Sequence, residues 1–239
     1  MKFGIIKEGK IPADKRVVFS PNALQKFKTT FNEAELFVES SDIRVFSDES
    51  YKEAGFEILN DISNCDVLFG VKEVPVEQLI PNKTYFFFSH TIKKQPYNKK
   101  LLQACIEKNI TLIDHETLVD KNNIRLIGFG RYAGIVGAYN TMRAFGIKYE
   151  LFSLAKAEKL GSKQDLIARL QKPFMPPLKI ALTGTGKVGM GAKELLDDVG
   201  YKQVDIQSFL TKDFDEPVYV QLDVEDYYRR IDGKPATKD

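Results

Sequence analysis

Apolar residues along this chain fall into two alternating patterns. Short runs rich in β-branched and aromatic residues read as strands: KFGIIKE (2–8), AELFVES (34–40), CDVLFGVK (65–72), TYFFFSH (84–90), TLIDH (111–115) and RLIGF (125–129). Between them, NALQKFKTTF (22–31), SYKEAGFEIL (50–59) and NKKLLQACIEKN (98–109) carry apolar residues at three- and four-residue spacing, as helices do. Alternation of strand and helix requires crossover connections, so the first 130 or so residues are expected to form an α/β unit with a mostly parallel sheet. VLFG and YFFF are apolar at successive positions, the pattern of central strands covered on both faces.

A long helix is expected over AGIVGAYNTMRAFGIKYELF (133–152), where Ala133, Gly134, Gly137 and Ala138 would allow close packing. The prolines of PFMPP (173–177) then mark a boundary. The organisation read from these signals is a first domain over 1–133, a linking helix and proline-rich boundary over 134–178, and a nucleotide-binding unit over 179–239.

That last assignment rests on KIALTGTGKVGMGAKELLDDVG (179–200), an apolar strand running through Gly184-x-Gly186-Lys187-Val188-Gly189 into an amphipathic helix. The first glycine permits a tight turn, the second lets a pyrophosphate approach the backbone, and the third lets helix and strand pack closely. Free N–H groups at the helix start would meet the phosphate charge. A structural glycine turn is the alternative reading, but the strand–loop–helix context favours NAD or NADP. The next strand is expected over QVDIQSFL (203–210). It ends on Leu210 rather than on an acid that would grip the ribose, and Lys212 follows where a 2′-phosphate would lie, so the reading leans to NADP.

Composition narrows the function. The chain is 43% hydrophobic and 28% charged, with a net charge of +2 and no long run of one sign. It lacks the basic face of a nucleic-acid binder, and its apolar runs are too short to span a bilayer. Cys65 and Cys105 make no disulfide framework, and with only two histidines there is no ligand-spaced metal set. A reducing cytoplasm is the expected location. His90 stands out, since it ends the most apolar run beside Lys93 and Lys94. It reads either as an acid–base group or as a hydrogen-bonded histidine capping a strand.

The motifs themselves resemble a known family. KEGKIPADKRVVFSP (7–21) resembles the opening of the alanine dehydrogenase and transhydrogenase N-terminal domain. GVKEVP (70–75), FSHTIKKQPYNKKLL (88–102), ITLIDHETLVD (110–120) and RLIGFGRYAGIVGA (125–138) resemble its lysine–2-oxoglutarate reductase branch, which includes the lysine-forming saccharopine dehydrogenases. The resemblance implies that the ε-amine of lysine condenses with 2-oxoglutarate and that a nicotinamide hydride reduces the imine to saccharopine, or the reverse. It implies Lys72 and His90 as the acid–base pair, Arg16 and Lys93 as carboxylate binders, and Glu116 as the acid tuning the pair. Lys10 matches more loosely, and His115 departs from the family pattern, reading as a structural or supporting residue. An alanine dehydrogenase-like enzyme and a non-catalytic dinucleotide-binding paralogue are the competing readings.

Residues after the glycine loop supply only one mononucleotide half. The second domain is therefore expected to be an incomplete Rossmann-type fold, and the 239 residues an inactive fragment of a longer enzyme. An uncovered sheet edge would favour a homodimer or a tail without fixed order.

Overall fold

The computed structural model describes residues 1–234, which divide into two compact units, 1–128 and 129 onward. The first holds six strands: β1 (Lys2–Ile5), β2 (Glu35–Glu39), β3 (Glu57–Leu59), β4 (Val67–Phe69), β5 (Thr84–Phe87) and β6 (Thr111–Asp114). All five pairings are parallel, in the order β3-β2-β1-β4-β5-β6. The sheet is therefore doubly wound, and its strand order reverses between β1 and β4.

Each face is covered as the apolar runs require. Leu68, Tyr85 and Phe87 are fully buried with Leu101, Ala104 and Cys105 of helix α3, which follows β5 (Lys99–Glu107 is its span). On the other face, Phe69 stacks on Phe3 and lies 4.7 Å from Phe86, ring centre to centre. Helices α1 (Pro21–Thr30) and α2 (Asp48–Glu53) close that face with Leu24 and Tyr51. Both cysteines are buried and free. Burial raises both thiols' pKa values, which keeps them protonated.

Two expectations fail in this unit. SYKEAGFEIL is not one helix: α2 stops at Glu53, Gly55 turns the chain at φ +89°, and Glu57–Leu59 joins the sheet edge as β3. RLIGF is not a strand. Its side chains Leu126 and Phe129 are exposed, and its backbone pairing is the isolated antiparallel bridge between Arg125 and Val119.

The second unit begins with α4 (Gly130–Lys148), followed by α5 (Lys163–Leu170), β7 (Lys179–Thr183), α6 (Lys187–Asp198), β8 (Lys202–Gln203), α7 (Ile206–Thr211), β9 (Val218–Leu222) and α8 (Val224–Tyr227). The segment 134–178, read as a linker, groups with this unit. Helix α4 crosses α6 at backbone contact, because a Cβ on Gly134 would sit 1.9 Å from the Val188 carbonyl oxygen. Glu194 of α6 ties the bundle by accepting from Arg131 of α4 and Lys163 of α5, and those hydrogen bonds pull its carboxyl down to about 2.

The three strands are parallel, in the order β7-β9-β8. QVDIQSFL is thus mostly not a strand. β8 ends at Gln203, Asp205 caps α7 by accepting from the Ser208 N–H at 2.8 Å, and the residues through Thr211 are helical. The local signal explains the change, since Asp followed three residues later by Ser opens a helix as readily as Ile and Phe extend a strand. Of the polar tail (225–239), the first residues lie in α8 and the segment after it, and 235–239 lie outside the described residues. No helix among the described residues is long and apolar enough to cross a membrane.

Candidate functional site

Parallel strands send all their C-terminal ends to one edge, and in the first unit that edge gathers the candidate residues. His90 comes three residues after β5, Glu116 two after β6, and Lys72 three after β4. Arg16, with Glu8, Lys10 and Asp14, lies on the long connection after β1. The loops after β1 and β4 part at the reversal point, where open α/β sheets form a ligand crevice.

His90, Lys93 and Glu116 form one contacting cluster. His90 Nδ1 lies 3.0 Å from Glu116 Oε2 and 3.3 Å from Lys93 Nζ. Lys93 Nζ in turn stands 3.2 Å, and Arg125 Nη2 2.7 Å, from Glu116 Oε1. Burial of Glu116 would raise its carboxyl, yet the hydrogen bonds from His90 and Lys93 and the Arg125 charge outweigh it and hold the group below the usual range. The backbone shapes this cluster. His90 (φ +56°) and Lys94 (φ +52°) are both left-handed and bracket a single 3-10 turn, Thr91–Lys93, that returns Lys93 toward the imidazole.

Behind the cluster, polar groups pin the turn from the inside. Ser89 is fully buried and donates to Asp114, and Asn98 donates to the Ser89 carbonyl at 3.0 Å. His115 is buried with Nε2 3.0 Å from the Gly70 carbonyl oxygen and its ring edge-on to Phe88. Burial lowers its pKa, so it stays neutral and acts as a strut between β4 and β6. This matches the structural reading of that position.

Next to Lys72 in the chain, Glu73 reaches this cluster, whereas the Lys72 charge acts on Asp14. Glu73 pairs with Lys10 at 2.5 Å, and its Oε1 lies 3.9 Å from His90 Nε2. That Oε1 is buried without a hydrogen-bond partner. Lys72 itself is held by its backbone, whose N–H donates to Glu8 Oε2 at 2.8 Å while Val71 N–H donates to Oε1 at 2.7 Å. Glu8 thereby bridges the reversal point. Burial raises its carboxyl despite these two hydrogen bonds. The Arg16 guanidinium is forked onto Asp14. A cavity of about 460 Å³ opens beside this edge, lined by Lys10, Glu73, Tyr97 and Asn98 among others.

Sequence reading missed Glu8, Asp14, Glu73 and Arg125. Each stands within two residues of, or on the same short motif as, a residue it singled out. A carboxylate next to a candidate base was the available signal.

In the second unit, the glycine loop has the shape a pyrophosphate requires. Gly184 is left-handed at φ +91°, and a Cβ on Gly189 would sit 2.1 Å from the Gly184 carbonyl oxygen. A Cβ on Gly186 would meet nothing within 4 Å, so the space above it is open. Gly186 is also the N-cap of the twelve-residue α6 and brings no capping side chain. Lys187 and Val188 form the first turn, and a cavity of about 660 Å³ lies alongside, lined by Thr185, Gly186 and Lys187. These residues fit a dinucleotide phosphate.

Lys212 does not join them. Its carbonyl accepts from Lys179 Nζ at 3.0 Å, and Lys179 begins β7, whereas Gly184 follows the end of that strand. With 206–211 helical and Lys212 at the opposite sheet edge, the two observations behind the lean to NADP are gone.

The chain is similar to several known proteins. Residues 4–136 match the family described as alanine dehydrogenase/PNT, N-terminal domain. The chain is 33% identical over 190 residues to the mitochondrial alpha-aminoadipic semialdehyde synthase of Bos taurus, covering 71% of this chain and 20% of that protein. It is 27% identical over 216 residues to the saccharopine dehydrogenase (NAD+, L-lysine-forming) of Yarrowia lipolytica, covering 82% of this chain and 57% of that one. The chain thus spans between a fifth and just over half of these relatives. Among solved structures, an L-alanine dehydrogenase shares the fold, with a TM-score of 0.60, 17% identity, and coverage of 92% of this chain and 60% of that one.

Proposed function

Because the chain belongs to the alanine dehydrogenase/PNT N-terminal domain family, we propose that it serves an amino-acid oxidoreductase of the saccharopine-forming type. The reaction joins the ε-amine of lysine to the keto carbon of 2-oxoglutarate and reduces the imine, or runs in reverse. The observation that carries this reading is the cluster of His90, Lys93, Glu116 and Glu73 at one sheet edge, with Lys72 next to Glu73.

Imine formation needs the amine deprotonated and water expelled from a carbinolamine, so groups that trade protons are required. His90 and Lys72 take these roles. Glu116 orients the imidazole by holding Nδ1, which leaves Nε2 directed to the Glu73 side. The unpartnered Oε1 of Glu73 accepts a hydrogen bond from the incoming amine. Substrate carboxylates are met by Lys93 and Arg16, each of which leaves an internal acid, Glu116 or Asp14, to do so.

In this chain, the backbone of Gly184 to Gly189 and the start of α6 would hold the pyrophosphate of a nicotinamide dinucleotide, which would supply the hydride.

The test, run on the whole protein to which this chain belongs, is nicotinamide oxidation followed by absorbance, with lysine plus 2-oxoglutarate against ammonia plus pyruvate. Turnover only with the first pair is expected. Turnover only with the second would make the protein an alanine dehydrogenase-like enzyme. Dinucleotide binding without turnover on either pair would make it a binding protein.

A further inference from the structure

We infer that Asp223, the residue after β9, is the acid that grips the adenosine ribose, and that the glycine loop therefore selects a dinucleotide with a free 2′-hydroxyl. The inference rests on the dinucleotide reading of that loop and deepens it.

A nucleotide whose pyrophosphate lies over the loop after β7 extends its ribose toward the end of the neighbouring strand. Counting along the chain, that neighbour should be β8, the next strand. In this sheet it is not. The order β7-β9-β8 puts β9 directly beside β7 and moves β8 one place further out. Thr183 is register partner to Leu222, and Gly184 N–H donates to the Leu222 carbonyl at 2.8 Å. Asp223 thus leaves the sheet level with the first loop glycine.

Its side chain is turned to the loop. Thr185, between Gly184 and Gly186, donates its hydroxyl to Asp223 Oδ2 at 3.2 Å. Val224 N–H fixes the other oxygen at 2.7 Å, and Asp226 accepts from the Asp223 N–H at 2.7 Å. Gln221, two residues earlier, donates to the Gly184 carbonyl at 3.0 Å, so β9 and the loop are locked together. A carboxylate held this way can accept from ribose hydroxyls, and it repels a 2′-phosphate. Glu225 and Asp226, in the next turn, add to that negative charge. Asp205 has the chain spacing of an anchor, but it follows β8, which β9 separates from β7; capping does not distinguish the two, since Asp223 caps α8 as Asp205 caps α7.

Titration calorimetry of this chain with ADP-ribose and with 2′-phospho-ADP-ribose tests the assignment. The unaltered chain is expected to bind ADP-ribose at least about tenfold more tightly. Asp223→Asn should bring the two affinities to within about threefold, while Asp205→Asn should leave the preference as it was. Equal affinity of the unaltered chain for the two probes overturns the assignment whatever the variants do. So does a preference that survives Asp223→Asn or collapses in Asp205→Asn. Failure of both probes to bind the unaltered chain overturns the dinucleotide reading itself, and the assignment falls with it.

Discussion

The Nδ1 atom of His90 stands 3.0 Å from Oε2 of Glu116, a carboxylate whose side chain is only 3% exposed. A buried acid held below its usual pKa by its partners stabilises the fold while it is ionised. That contribution is complete above the unfolded carboxyl value of 4.5 and is lost as pH falls through the lower folded value. Glu116→Gln should therefore lower the melting temperature at pH 7, by the equivalent of about 1–3 kcal/mol. The gap to the unaltered protein should close on acidification below about pH 4.5. Thermal melts of both proteins from pH 3 to 7 provide the check. A gap that widens in acid would mean Glu116 is not ionised in the fold.

If His90 and Lys72 exchange protons with the substrate, each removal should cost turnover rather than cofactor binding. In the whole protein, His90→Gln and Lys72→Met are each expected to lower kcat by about 100-fold. Affinity for ADP-ribose should stay within about twofold, since the loop that would hold it belongs to the other unit. Initial rates with lysine plus 2-oxoglutarate measure the first, and calorimetry the second. A His90 variant with unchanged kcat between pH 6 and 9 would take the imidazole out of the chemistry.

Glu8 serves the turn that carries Lys72. Glu8→Ala leaves the Val71 and Lys72 N–H groups without their acceptor, one of them buried. The expected loss is about 2 kcal/mol in urea unfolding, with an unchanged slope. Amide exchange at 71 and 72 should accelerate more than at β5. Uniform acceleration across the sheet would show Glu8 to be a general core residue instead.

At the loop, Gly189→Ala drives a methyl group onto the Gly184 carbonyl, which is backbone and cannot yield as a side chain would. We expect at least about 1–3 kcal/mol of destabilisation and loss of measurable ADP-ribose binding. Gly186→Ala faces open space. It should fold normally and still lose affinity, because the added methyl occupies the room a phosphate needs. Equal ADP-ribose affinity in Gly186→Ala and the unaltered chain would place the phosphate elsewhere.

Much of the first unit was legible because its central strands β4 and β5 are covered on both faces and declare themselves as continuous apolar runs. β3 was not, since FEIL at a sheet edge is only half buried and continues the helical spacing of the residues before it. The second unit was harder for a different reason. Asp205 and Ser208 make a helix cap inside a stretch whose apolar content suits a strand, and a two-residue β8 leaves almost no periodicity to read. At the site, His90 drew attention by composition alone, but its partner Glu116 is 26 residues away, and only the fold brings them into contact. Strand order is not written in any local pattern. That is why the chain pattern puts Leu210, and no acid, at the end of the next strand while the strand order puts Asp223 beside the glycine loop.

The left-handed backbone at His90 sets a condition on what can stand there. Valine, isoleucine or threonine would clash with their own main chain at φ +56°, whereas asparagine, aspartate or glycine would be tolerated. The imidazole therefore occupies a seat cut for few occupants, and the same hinge swings Lys93 beneath it. Replacing His90 with a β-branched residue would withdraw the ring and slacken the bend together, moving a positive charge three residues away. Any effort to graft new reactivity onto this position has to begin from the short roster of side chains that the curvature of the chain will admit.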